Sequence, residues 1–324
     1  MNFKIDAVIT WVDGDDPRHR SKREQYGDKR LLNRDDVAGS TRYSSLGEIF
    51  YCVASLNRFA PWLNKIYIVT DEQNPMVDEF IAKHFSEGSI PMEIVDHKVI
   101  FRDYEEHLPT FNSISIESMT WRIPGLAEHY IEFNDDLILG APTQPEDFFP
   151  SEDSVVCYGR RRSSFMVRLS RILKYRINGP KRVSFKESMI NGAEVAGHSN
   201  DFIMLHHTPK ALLKSFFERF NDEHPEALLR NICHRFRHAS QYNPQEVFFL
   251  AMCDQGRCTM KRVEDELFYF MAKPDIEYIR RKLDGFTRDS HKKFGCFNSL
   301  DQAPEEGQKM VVEWIERRLE LKKR

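Results

Sequence analysis

The sequence predicts an α/β fold, a Rossmann-like, mostly parallel sheet carrying a helical insertion or lobe, and three observations predict it. Four short β-branched runs each end in an acidic residue, a helical pattern separates the first two, and a cation-rich amphipathic stretch follows the last. The runs are Ile5 to Val12 ending at Asp13, Ile66 to Thr70 ending at Asp71, Ile94 and Val95 ending at Asp96, and Tyr130 to Phe133 ending at Asn134-Asp135-Asp136. Apolar runs of this kind suit strands buried on both faces of a parallel sheet. Between the first two, SSLGEIFYCVASLNRF repeats Leu46, Ile49, Phe50, Val53 and Leu56 at helical spacing, with Ser44 or Ser45 as a cap and Pro61 marking the end. Strand, helix, strand implies a right-handed crossover. Open α/β sheets bind ligands beyond the carboxyl ends of their strands, where this pattern places its acids.

The second half reads differently. Phe165 to Ile177 is a basic amphipathic segment, Pro209 to Phe220 and Pro244 to Met252 read as helices, and Val311 to Leu321 reads as an amphipathic helix at the end. The expected division is residues 1–158 as the first part of the α/β domain, 159–190 as a basic helical insertion, and 191–324 as a helical part completing the domain.

With 41 % hydrophobic and 30 % charged residues over 324 positions, the composition excludes a disordered chain. The opening MNFKIDAVITWV has no leader pattern and no stretch is long and apolar enough to span a bilayer, so a cytoplasmic protein, in peripheral contact with an inner membrane at most, is expected. Six cysteines without CxxC spacing suggest reduced thiols rather than a zinc site or disulfide framework. The net charge of −3 hides an asymmetry, because Ser154 to Lys186 holds ten Lys or Arg and no acid.

Asn134-Asp135-Asp136 after an apolar strand offers adjacent carboxylates, Asp135 and Asp136, for Mg²⁺ (or Mn²⁺) against a diphosphate, although the same residues make good turns. Trp11, Asp13 and Gly14, in WVDGDDP, suit the seating of a base or ribose, and Asp71 and Asn112 join them as candidate nucleotide-sugar contacts. His207 in LHHTP has the chemistry of a general base, Arg237 in HRFRH that of a phosphate ligand, and Glu117 in FNSISIES that of a donor-orienting group, metal ligand or base. The basic stretch, with Arg161, Arg168 and Arg171, suits an anionic polymer or membrane surface. A helix packed on its apolar side and solvated on its basic side accounts for it equally well.

Taken in order, these pieces resemble the Stealth family, which includes bacterial capsule polymerases of the sugar-phosphate type and the animal transferase that marks lysosomal enzymes. Its first region is matched by IDAVITWVDGDDP, and its second by APWLNKIYIVTDEQNP, VDHKVI and LPTFNSISIESMTWRIPGLAEHYIEFNDDLILGAPTQPEDFF. The third is matched by HHTPKALL and HRFRHASQYNPQEVFFLAM, and the fourth by KKFGCFNSLD. The resemblance implies that Glu117, Asp136, His207 and Arg237 are catalytic. It also implies transfer of a hexosamine 1-phosphate from a UDP-hexosamine (UDP-N-acetylglucosamine or an epimer) to a hydroxyl of a growing capsular polysaccharide, with UMP released. Mg²⁺ would assist, Arg161, Arg168 and Arg171 would bind the anionic polysaccharide acceptor, and nucleic acid is not an expected partner. Two departures stand out: Leu46-Gly47 precedes Glu48 where relatives carry Asp-Asn, and Asn298-Ser299 stands where they carry Asn-Asp. An ordinary glycosyltransferase releasing UDP, and a non-enzymatic module binding anionic polymers or membrane, remain the alternatives.

Overall fold

The computed structural model describes residues 3–28, 32, 34, 37, 47–85, 88–165, 167, 183–263, 267–271, 275–289 and 292–321. The strands are β1 (Ile5–Thr10), β2 (Lys65–Thr70), β3 (Met92–Asp96), β4 (His129–Asn134), β5 (Leu137–Leu139), β6 (Val155–Ser163), β7 (Asp201–Leu205), β8 (Lys210–Leu213), β9 (Cys258–Lys261), β10 (Leu267–Met271) and β11 (Phe294–Asn298). The helices are α1 (Pro17–Tyr26), α2 (Glu48–Phe59), α3 (Val77–His84), α4 (His97–Ile100), α5 (Ser113–Glu117), α6 (Phe185–Val195), α7 (Lys214–Glu223), α8 (Pro225–Ile232), α9 (Pro244–Asp254), α10 (Ile276–Arg288) and α11 (Glu305–Arg318).

The main sheet runs β3-β2-β1-β4-β8. Its first four strands are parallel and β8 closes the edge antiparallel to β4. The expected buried parallel strands are therefore present, with Ala7, Val8, Ile9, Ile66, Val69 and Ile131 almost wholly excluded from solvent. Helix α2 buries Ile49, Cys52, Val53 and Leu56 and ends before Pro61, as its spacing predicts. Its cap is Gly47 at φ 86°, whereas Ser44 and Ser45 lie outside the described residues. Ser299 likewise takes a left-handed φ of 57°. Gly47 and Ser299, one residue from each departure, thus fall where the backbone takes left-handed geometry, which Gly, Asn and Asp adopt at least cost.

Three expectations are corrected. The boundary at 158 cuts a strand, because Gly159 to Ser163 continue β6 and pair with β7, not a helix. Val155 to Tyr158, a β-branched and aromatic run just before the cations, starts a strand that runs on through Ser163. Next, Lys210 to Leu213 form a strand opposite Glu132 to His129, and the helix expected from Pro209 begins only at Lys214. Finally, residues 191–324 are not helical alone, for beside their helices they supply β7 to β11. Strands β7 and β9 flank β6 in one small sheet, and β10-β11-β5 form another. Both halves of the chain thus contribute to every sheet.

The apolar face of α11 is used within the fold: Val311, Trp314 and Ile315 are buried, and Trp314 stacks on Phe286 at 4.9 Å between ring centroids. That face is not free to lie on a membrane. Among the described residues no helix is long and apolar enough to cross one.

Candidate active site

Parallel pairing of β3, β2, β1 and β4 brings the four strand-end acids to one rim. Over β1 to β3 the rim is a network of local bonds. The Asp13 N–H donates to Gln73 Oε1 at 2.9 Å, and Gln73 Nε2 donates back to the Asp13 carbonyl at 2.9 Å and to Asp16 at 3.2 Å. The Asp13 carboxylate accepts from the Asp15 N–H at 2.9 Å, closing the turn that holds Gly14. Lys22 from α1 donates to both Asp71 oxygens at 3.2 and 3.3 Å and to Glu72 at 2.6 Å, and Lys98 also reaches Glu72. Bonds from Lys22 and then Lys98 hold the Glu72 carboxyl down at about 2. Burial pushes the imidazoles of His19, to about 4, and His97 down, so both are neutral. Trp11 lies beside this network with its Nε1–H buried and without an acceptor.

Over β4 the chemistry differs. Asp135 and Asp136 form the turn into β5, and β11 clamps it: the Phe297 N–H donates to the Asp136 carbonyl at 3.0 Å, and Cys296 Sγ lies 3.6 Å from Asp136 Oδ2. Burial raises the Asp136 carboxyl, a rise opposed chiefly by His207. Asp135 is raised well above the usual range by burial and by the charges of Asp136 and Glu48. Asp136 Oδ1 is buried without a hydrogen-bond partner. Two crowded oxygen donors, one of them orphaned, fit a hard divalent cation of the Mg²⁺ type, which takes one or two protein carboxylates and draws its other ligands from phosphate and water. No cluster of three or more His, Cys, Asp or Glu able to hold a metal occurs among the described residues, so a complete protein cage is not offered.

Glu117 closes α5, and Arg237 approaches the same helix, its Nη2 donating to Ser113 Oγ at 2.8 Å. Ser113 and Glu117 are four apart and share a helix face. The segment carrying Arg237 is tied down on both sides. The Phe111 N–H donates to the Arg235 carbonyl at 2.7 Å, the Ser115 hydroxyl to the His234 carbonyl at 3.1 Å, and Phe236 stacks on Phe111 at 5.1 Å. Asn112 belongs to this tether. It is fully buried, and its amide nitrogen donates to the His234 carbonyl at 3.0 Å and to Gln241 at 2.9 Å, so it braces the Arg237 segment, while its Oδ1 is buried without a hydrogen-bond partner.

Behind Glu117 lies a layer that motif reading missed. Gln245 Nε2 donates to Glu117 Oε2 at 3.2 Å and to Glu132 Oε2 at 2.6 Å, while the Thr120 hydroxyl donates to Glu132 Oε1 at 2.6 Å. Burial, and then the charge of Glu117, push Glu132 up to about 7. The Glu117 carboxyl is also raised by burial, against the pull of Arg237, Gln245 and Lys210. The signal available in the sequence was an acid inside an apolar strand, HYIEFN, and a Gln-Glu pair opening an apolar helix, PQEVFFLAM.

His207 sits in the connection from β7 to β8, with Phe185 stacked on its ring at 5.8 Å. Its imidazole is lowered by burial, against the attraction of the Asp136 carboxylate and with help from Lys210 and Arg237. Arg237 therefore acts on both Glu117 and His207, and His207 on Asp136, although the four come from separate stretches of chain. Arg161 stands apart from them, bonded to Asp201 at 2.9 Å with Asp254 at 3.7 Å, and Arg168 and Arg171 lie outside the described residues.

The family model described as Stealth protein CR1, conserved region 1, matches residues 3–30, and that described as Stealth protein CR2, conserved region 2, matches residues 42–156. A capsular polysaccharide phosphotransferase of Streptococcus pneumoniae is 33 % identical over 260 residues, covering 74 % of this chain and 75 % of that protein. The chain belongs to the Stealth family. An exopolysaccharide phosphotransferase of Streptomyces coelicolor is 32 % identical over 306 residues, covering 94 % of this chain, which spans only 53 % of that relative. A capsular polysaccharide phosphotransferase of Neisseria meningitidis is 39 % identical over 148 residues, 45 % of this chain and 38 % of its own. The two matched Stealth regions contain β1 to β5, hence Glu117, Asp135 and Asp136; His207 and Arg237 come from the later elements that fold back onto that rim.

Proposed function

We propose that this Stealth protein transfers a hexosamine 1-phosphate from a UDP-hexosamine to a hydroxyl of a cell-surface polysaccharide, forming a phosphodiester and releasing UMP. The observation that carries the reading is that Arg237 bonds the helix that Glu117 closes and, with Asp136 at the end of β4, acts on the charge of His207. Membership of the Stealth family and the names of its relatives support the same reaction class.

The acceptor oxygen bonds to the sugar-bearing phosphorus as the bond from that phosphorus to the bridging oxygen breaks, and UMP leaves with the bonding electrons. The hydroxyl proton passes to the imidazole of His207, which burial holds toward its neutral form. Arg237, a permanent cation that can bind phosphate oxygens, stabilises charge on the transferred group. Glu117, beside Arg237, orients that guanidinium and the donor. Asp136 and Asp135 would hold Mg²⁺ or Mn²⁺, which neutralises diphosphate charge when bound. The half of the rim with Trp11, Asp13 and Asp71 takes the nucleotide.

Purified protein incubated with Mg²⁺, a panel of UDP-hexosamines and a capsule oligosaccharide should accumulate UMP in step with a phosphodiester product. Chelation should stop the reaction and added Mg²⁺ or Mn²⁺ restore it. Accumulation of UDP instead would place the protein with ordinary glycosyltransferases, and no nucleotide release with intact polymer binding would favour a binding module.

A further inference from the structure

His207 lies at the apex of a tight three-residue turn, in which the Thr208 N–H donates to the His206 carbonyl at 2.8 Å. A base must be held to within a fraction of an ångström of the proton it takes. The neighbouring strand supplies a brace. Lys210 is the first residue of β8, its backbone set opposite Glu132 by the sheet. Its side chain turns back, with Nζ 2.5 Å from the His206 carbonyl, 2.5 Å from the Thr208 carbonyl and 3.0 Å from the Thr208 hydroxyl.

An ammonium has three protons and no acceptor, and these three oxygens match them. Two are the carbonyls on either side of His207. Lysines ordinarily extend their ammonium into water, so holding one here costs solvation that the bonds and the nearby Glu117 and Glu132 carboxylates offset. Burial brings its pKa down to about 8, which leaves it mostly charged at neutral pH.

We propose that Lys210 is a positioning residue, its ammonium locking the two carbonyls that flank His207 so that the imidazole is presented to the acceptor hydroxyl. The proposal rests on the reading of His207 as the base. Lys210→Met, close in length and unable to bond, should lower kcat for UMP release by about 10- to 100-fold with the donor KM within about twofold. In a His207→Ala background the same change should cost nothing further, since Lys210 acts through the missing imidazole. Amide hydrogen exchange gives a readout independent of activity: the Thr208 N–H of Lys210→Met should exchange at least about tenfold faster.

Losses that multiply in the double variant, or unchanged Thr208 exchange, would overturn the role of Lys210 while leaving His207 as the base. Near-normal turnover by His207→Ala would overturn both. Should Lys210→Met fail to fold, Thr208→Val removes one of the three contacts and should lower kcat several-fold in the parent and not at all beside His207→Ala.

Discussion

The two halves of the rim hold similar residues and treat them in opposite ways. Over β1 to β3, Asp71 and Glu72 meet lysines and Asp13 and Asp96 accept nearby backbone N–H groups, so these acids are satisfied where they stand. Over β4, the carboxyls of Asp135, Asp136, Glu117 and Glu132 are all raised by burial, and their neighbours include one another. Satisfied acids shape a surface; crowded, desolvated acids store electrostatic stress that a bound cation relieves. A strand-end acid is thus not a functional residue by position alone.

The sharpest way to break this comparison is to substitute one residue from each half. Arg237→Ala should lower UMP release by about 10²- to 10³-fold, the scale of removing one preorganised charge stabiliser. Lys22→Ala should change it only several-fold, through the donor KM. Equal losses would mean that the halves are not chemically distinct.

Gln245→Leu tests the layer behind Glu117. It strands two buried carboxylates without their shared donor, at a cost of about 1–3 kcal/mol, and should lower both the melting temperature and kcat. A stable variant with normal turnover would show that Glu117 is held by other contacts.

The pH dependence of stability should separate the halves more finely. A glutamate in the unfolded chain titrates near 4.5, whereas Glu132 is raised to about 7 and Glu246, buried on α9, to about 9. Each holds its proton more tightly when folded. The stability each contributes is fully present below about pH 4.5 and is lost as pH rises through about 7 for Glu132 and about 9 for Glu246. The melting temperature should therefore fall from about pH 4.5 to about pH 8, above which the lowered Lys210 acts in the opposite sense, and Glu246→Gln, which keeps the acceptor for the Ile203 N–H, should flatten the upper part of that fall. An unchanged slope would mean that Glu246 is not the group responsible.

The smallest effect is expected from the lysine network. Lys22→Met should shift the melting temperature by no more than about 2 °C, because a partly exposed ion pair contributes about 0–1 kcal/mol. A larger fall would make Lys22 a structural anchor of the rim.

Local patterning determined much of this protein by itself. Period and composition placed β1 to β4, α2 and α9, because an apolar run bounded by turn residues needs no distant information to become a buried strand or helix. The ordered motifs likewise brought out Glu117, Asp136, His207 and Arg237. Tertiary structure alone decided the partners. Nothing local to Lys210 says that it pairs with β4 rather than opening a helix, since a four-residue strand is stabilised by its neighbour's hydrogen bonds more than by its own propensity. Nothing local to Asn112 says that its amide braces a segment more than a hundred residues away, or that Arg161 bonds Asp201 and Asp254. Charge and hydrogen-bonding capacity are written in the residue, but what they are set against depends on which distant atoms folding brings within about 3 Å.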